Sequence, residues 1–241
     1  MTGLWIAIAF LTRFPAPSVA SEKAGNIALA APWLPVVGAL VGGLVAAGVS
    51  LTSGAGIWVG ALVGVLVWVL VTGALHLDGL GDVADGLGAA HGNRERFIAV
   101  ARDPHLGSFG AIAIVLQLLA KLVLLAAVTE RLGLNGLVPA LVLIAAWARW
   151  GTLVLGSAVK PLAEGMASRL AVGIDRRVVV LEGVVLSALT AYLAPVLLIA
   201  LLLTGGLALY WRLRLGGITG DCHGASIEIM ETVLLFALLF G

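Results

Sequence analysis

A single cysteine, Cys222, and a charged fraction of only 11% are the scarcities that say most about this chain. One thiol excludes an intrachain disulfide. The shortage of charge excludes more, because soluble chains carry about 25% charged and about 45–50% apolar residues. Here 61% of residues are hydrophobic and the mean hydropathy is +1.13, which rules out an ordinary soluble domain. With a net charge of +1 there is no global field to recruit nucleic acid. The first residues lack a basic stretch, and Arg13 interrupts their apolar run. A cleaved signal peptide is therefore not expected, despite the small-residue tripeptide at 18–20, and a short, partly interfacial helix is. Fixed-period repeats, low-complexity linkers and a second soluble region are also missing, so residues 1–241 read as one membrane domain.

What is present is a series of apolar runs. Residues 34–51, 57–77, 106–128, 137–159, 178–192, 195–211 and 227–240 each approach the length of a bilayer crossing, the last three falling short of the ~20 residues of an upright helix. Backbone groups in lipid must be satisfied within the segment, so the expected fold is all-α. It is a polytopic bundle of about seven transmembrane helices plus the N-terminal interfacial one. Small residues in 36–48 and 59–66 suit close helix contacts, and such faces also allow a homo-oligomer. Basic residues sit in alternate connections: Arg13 and Lys23, then Arg94, Arg96 and Arg102, then Lys160, Arg169, Arg176 and Arg177, then Arg212 and Arg214. The connections between carry Arg131 alone, so the basic loops and the N-terminus are expected on the cytoplasmic side. For Arg177 and Arg212 to share that side, residues 178–211 must cross twice or not at all, and Pro195 offers the turn.

This arrangement gathers the polar clusters on one side. The segment 76–88, HLDGLGDVADGLG, holds Asp78, Asp82 and Asp85, which fall within an arc of roughly 60° on a helix. Three like charges on one face at a membrane edge call for a cation, and carboxylate oxygens suit a hard ion such as magnesium. A second acidic group, Asp221, Glu228 and Glu231, lies in 216–232, with Asp221 and Glu228 on one face if a helix starts near 221. Together the two helix ends are expected to form a carboxylate cage for metal. Glycines interleaved with the acids let a phosphate approach the backbone, and Arg94, Arg96, Arg102 and Arg169 can neutralise its oxygens. Metal carboxylates with arginines point to displacement at phosphorus. His76, His105 and His223 are candidates for a base by type alone.

Plainer roles stand beside each of these. The aspartates could cap a helix, the second acidic group could complement a helix dipole, and the basic loops could serve topology only. His91 and Glu182 read as structural, and Arg149 lies near a span end. Lys121, some fifteen residues into a span, either pairs with an acid or snorkels.

The chain resembles the cobalamin synthases, or adenosylcobinamide-GDP ribazoletransferases, over nearly its whole length. The resemblance rests on FLTRFPAP at 10–17, HLDGLGDVADGLG, RDPHLGSFG at 102–110, Lys121, KPLAEGMA at 160–167 and GGITGDCHGASIEIME at 216–231. Gly81 stands where the family commonly has alanine, Arg102 where lysine is frequent, and Ala163 where an arginine is common. The resemblance implies that the 5′-oxygen of α-ribazole, or of its 5′-phosphate, attacks the cobinamide-linked phosphorus of adenosylcobinamide-GDP. GMP leaves, and Mg2+ is the implied cofactor. On this reading Asp82, Asp85 and His223 are catalytic, and Asp78, Asp82, Asp85, Asp221 and Glu228 hold metal. Arg13, Arg94, Arg102, Asp103, Lys121 and Thr219 contact substrate. The enzyme would sit in the lipid of a prokaryotic inner membrane and use no nucleic acid. The pattern of CDP-alcohol phosphotransferases, a related chemistry, is not met, because Leu87, Gly88, Ala89 and Ala90 follow Asp85 and Gly86 without the expected arginine. A cation-coupled transporter would spread its acids along a path near the midplane, whereas these gather at one boundary beside arginines.

Overall fold

The computed structural model describes residues 2–15 and 24–241; the tripeptide at 18–20, Lys23 and the Ala16–Pro17 end of the first family block lie outside them. Among the described residues the architecture is all-helical, with one isolated parallel bridge between Pro161 and Ile218. Helix α1 (Thr2–Leu11) buries Ile6, Ala7, Ile8 and Leu11, and packs against a 3-10 helix, Ala24–Trp33. Then come α2 (Leu34–Thr52), α3 (Ile57–Thr72), α4 (Leu75–Ala90) and the short α5 (Arg94–Val100). The long α6 (Ser108–Ala158) is followed by α7 (Met166–Val172), α8 (Arg176–Leu193), α9 (Ile199–Leu215) and α10 (Gly220–Ala237).

The seven apolar runs fall largely within helices, and α6 carries two of them. At Gly133 the backbone takes φ 63°, ψ 177°, which no helix contains. Lys121 and Arg149 both reach Glu231, although a straight helix would hold them about 42 Å apart at ~1.5 Å per residue. The element is thus a hairpin of two antiparallel arms.

The outward faces identify an integral membrane protein. Leu62, Leu66 and Leu70 on α3, Ile112, Leu116, Leu119 and Val123 on the first arm of α6, and Val180 and Val184 on α8 form exposed apolar stripes at helical spacing. In water such stripes would be unsatisfied; in lipid they face their own kind. Ile27–Ala55, Ser108–Ala158 and Pro195–Leu215 qualify as crossings by length and apolarity alone. Inside the bundle small residues take over, as the composition of 36–48 leads one to expect. Gly38 and Gly42 on α2 lie directly on the backbone of Ala145 and Leu141 in the second arm of α6, where any side chain would collide.

The run 57–77 is not one straight span. It breaks after Thr72, where Gly73 (φ 61°) and Ala74 (φ 58°) are both left-handed, and α4 leaves α3 at 87°. Such a conformation costs about 1–2 kcal/mol at alanine, so tertiary contacts must impose it. Arg13 supplies some of them: its N–H donates to Val71 O at 2.8 Å and its side chain lies across Gly73. Because α4 carries three acids, it does not prolong α3 along a lipid-facing path; it turns away and packs against α10, α6 and α5. The last helix starts at Gly220, seven residues before the apolar run does.

Candidate active site

Two glycines set the site. A Cβ on Gly79 of α4 would stand 3.0 Å from Asp221 O and 3.1 Å from its Cα, and one on Gly224 of α10 would stand 3.4 Å from the His76 backbone. The helices therefore touch backbone to backbone, which only glycine permits. Their crossing brings Asp221, at the start of α10, beside Asp78 and Asp82. Asp82 registers the crowding: burial first, then Asp78, Asp221 and Asp85, push its carboxyl up to about 6. Arg102 lies close enough to Asp221 for its charge to act on that carboxylate. Among the described residues no three His, Cys, Asp or Glu side chains close on one point in metal-ligand geometry.

Asp85 has a different setting. Its Oδ2 accepts from Gly107 N–H and its Oδ1 from Gly110 N–H, both at 2.8 Å, so it caps the start of α6 from another helix. These amides have no partner within α6 itself. The fit depends on Gly110, where a Cβ would run into the Asp85 carboxylate and approach Gly81 O at 2.9 Å. Gly110→Ala should lower thermal stability in detergent by about 1–3 kcal/mol, the usual range for overpacking. An unchanged melting temperature would show that α6 does not need this clamp.

The start of α10 is fixed by local chemistry. Thr219 Oγ1 accepts from Cys222 N–H at 3.2 Å as the helix cap and lies 3.4 Å from Asp221 Oδ2. The preceding loop is tied down by the bridge: Leu162 N–H donates to Ile218 O, and Ile218 N–H to Lys160 O, each at 2.9 Å. The KPL segment at 160–162 thus positions Asp221 indirectly.

Other expected site residues are dispersed. Arg94 and Arg102 are exposed on the α4–α6 connection, and Arg169 is exposed on α7. Asp103 accepts from the His105 N–H at 3.0 Å and pairs with its Nδ1 at 2.7 Å, which holds the carboxyl below the usual range. Arg13 stands at the α3–α4 break.

The structure places Glu228 and Lys121 away from the aspartates. Glu228 does not join the aspartates: its Oε2 meets Lys121 Nζ at 2.7 Å and Gln117 Nε2 at 2.8 Å inside the bundle. Lys121 is a buried ion-pair partner, as one of its two expected roles had it, at 2.5 Å from Glu231 Oε2 and 4.4 Å above the Trp68 ring. Glu231, fully buried, also binds Arg149 and accepts from Trp68 Nε1 at 3.2 Å, while Arg149 reaches His76 Nδ1 at 3.4 Å. The roles of Arg149 and Gln117 in this network have no local sequence signal.

A family model described as cobalamin-5-phosphate synthase matches residues 3–239. Among curated relatives, the adenosylcobinamide-GDP ribazoletransferase of Laribacter hongkongensis is 50% identical over 98% of this chain and 95% of its own. Those of Thiobacillus denitrificans and Novosphingobium aromaticivorans are 43% and 44% identical, over 98% and 99% of this chain and 94% and 96% of theirs. No solved structure matches.

Proposed function

The chain belongs to the cobalamin-5-phosphate synthase family, and from that premise we propose that it joins adenosylcobinamide-GDP to α-ribazole, or to α-ribazole 5′-phosphate, with release of GMP. A free ribose hydroxyl of the acceptor, which cannot be the 5′ one where that oxygen already carries phosphate, forms a new bond to the cobinamide-linked phosphorus, the bond to the GMP oxygen breaks, and the hydroxyl proton passes to solvent. The product is adenosylcobalamin, or its 5′-phosphate. The observation that carries this reading is the α4–α10 crossing, which sets Asp78, Asp82 and Asp221 together at a bundle end with Arg102 beside them.

Magnesium fits this donor set. It takes one or two carboxylates, keeps several waters and accepts substrate phosphate oxygens, so crowded but unclosed acids suit it better than a protein cage. One or two of Asp78, Asp82 and Asp221 would hold it, and when bound it would neutralise charge on the diphosphate and the leaving phosphate. Asp85 is better assigned as the positioning group for α6, since both its oxygens are engaged by amides. Arg102, and Arg94 on the same connection, would hold phosphate oxygens.

We place this end of the bundle on the cytoplasmic side of a bacterial inner membrane, because the basic loops share it. One experiment tests both the reaction and its sidedness. Inside-out membrane vesicles carrying the protein, given adenosylcobinamide-GDP, α-ribazole and Mg2+, should release GMP in step with phosphodiester formation, while sealed right-side-out vesicles should not. No GMP from either preparation refutes the reaction; GMP from right-side-out vesicles alone refutes the orientation.

A further inference from the structure

Between α1, α2, α4, α7 and α10 lies a cavity of about 120 Å³ whose walls are mainly Phe10, Leu11, Leu34, Leu75, Leu170 and Ile227. One side of it carries Asp78 and Asp221, so it opens onto the site just described. Two histidines interrupt the apolar wall, and each has a buried ring nitrogen without a partner among the described residues: His76 Nε2 and His223 Nδ1. His76 is only 3% exposed, so water does not routinely satisfy it.

The tautomer of His76 follows from its neighbour. Arg149 is always protonated and can only donate, so the His76 Nδ1 that faces its Nη2 at 3.4 Å must accept. A neutral ring then carries its hydrogen on Nε2. An N–H donor is thus held in an apolar pocket next to the carboxylates, by a guanidinium that the ion-pair network itself fixes. A buried polar group left unpaired is costly, and two on one cavity mark a place where a ligand completes the bonding.

Resting on the reaction proposed above, we infer that this cavity seats the acceptor nucleoside, with its fused heteroaromatic base between the apolar walls. His76 and His223 bond its polar edge. Size decides between the two substrates: a flat bicyclic base suits a cavity of this volume, and a corrinoid ring decorated with amides does not. Position agrees, since Asp78 and Asp221 line the same cavity, so a base seated here places its ribose on the side where phosphorus must lie. His76 and His223 are then groups that set specificity for the acceptor, and the donor nucleotide binds outside, toward Arg102.

The intact protein in detergent, titrated with α-ribazole by calorimetry and assayed for GMP release, tests this. His76→Phe also strips Arg149 of an acceptor and endangers the fold, so His223→Phe and Leu75→Trp are the informative variants; Leu75 is 39% exposed and tolerates a larger ring. Each should raise both the Kd and the KM for α-ribazole by about tenfold or more, the scale of one lost hydrogen bond or a filled pocket. The KM for adenosylcobinamide-GDP should stay within about twofold, and His223→Gln should restore part of the acceptor affinity. Wild-type turnover with an unshifted acceptor KM in both variants overturns the cavity assignment and leaves the reaction standing. Wild-type binding of α-ribazole that both variants weaken, without any GMP release, supports the cavity and removes the reaction. Failure of the wild type to bind α-ribazole, or a defect confined to the donor, overturns the assignment.

Discussion

Glu231→Ala should leave little folded protein. Glu231 and Arg149 are 0% exposed and Lys121 and Glu228 3%, so two cations and two carboxylates share one dry site and balance each other. The group ties α3 through Trp68, both arms of α6 through Lys121 and Arg149, and α10 through its two glutamates. Removing Glu231 leaves two cations facing Glu228 alone. Breaking one partner from a buried pair costs about 3–5 kcal/mol, a large share of the ~5–15 kcal/mol that holds most domains together. Purification in mild detergent should give aggregate, or a melting temperature depressed by many degrees. Combining Glu231→Gln with Arg149→Met removes one charge of each sign, and this double variant should lose less than the two single losses added. Additive losses, or a Glu231→Ala protein that melts with the wild type, would mean that the network contributes nothing specific.

This network shows where sequence reading stops. The apolar runs were legible because lipid imposes a length and a composition on every crossing. The aspartate face of α4 was legible from helical spacing alone. The same spacing misplaced Glu228. Positions i and i+7 share a face, but they differ by about 10 Å in depth along the axis, enough to move a carboxylate from the bundle end into its interior. Depth depends on where the helix starts and what it crosses, and both are tertiary facts. Asp85 is a similar case, since its partners lie 22 and 25 residues away on another helix. For Lys121 the sequence leaves an acid partner and snorkelling both open, and only the assembled bundle shows the pairing with Glu228 and Glu231. The turn of 87° at Gly73 and Ala74 was hidden because an apolar run through the residue pair looks continuous; the acids that follow it are what forbid the helix from going on into lipid.

Asp82→Asn should abolish GMP release while making the resting protein slightly more stable, and the opposite signs are the informative part. Asp82 sits between Asp78, Asp85 and Asp221, and burial together with those charges raises its carboxyl to about 6. For a group whose pKa is higher folded than unfolded, the favourable contribution is full below the unfolded value and is lost as pH rises through the folded one. Without metal, ionised Asp82 therefore weighs against the fold at pH 7 to 8. Asparagine removes that repulsion, worth about 1 kcal/mol once the solvent screening of a partly exposed group is allowed for. The advantage should shrink as pH falls from about 6 toward 4, where the wild-type carboxyl protonates. Mg2+ should reverse the order: it binds the folded wild type and raises its melting temperature, whereas the variant, lacking the central carboxylate, should respond weakly. Activity should fall by at least about 10³-fold, as when a preorganised electrostatic group is lost from phosphoryl transfer. Melting curves at pH 4.5 and 7.5, with Mg2+ and with chelator, set beside GMP release, separate the possibilities. A variant that is both inactive and less stable at pH 7.5 would make Asp82 a structural residue. One that is fully active would move the chemistry away from the α4–α10 crossing.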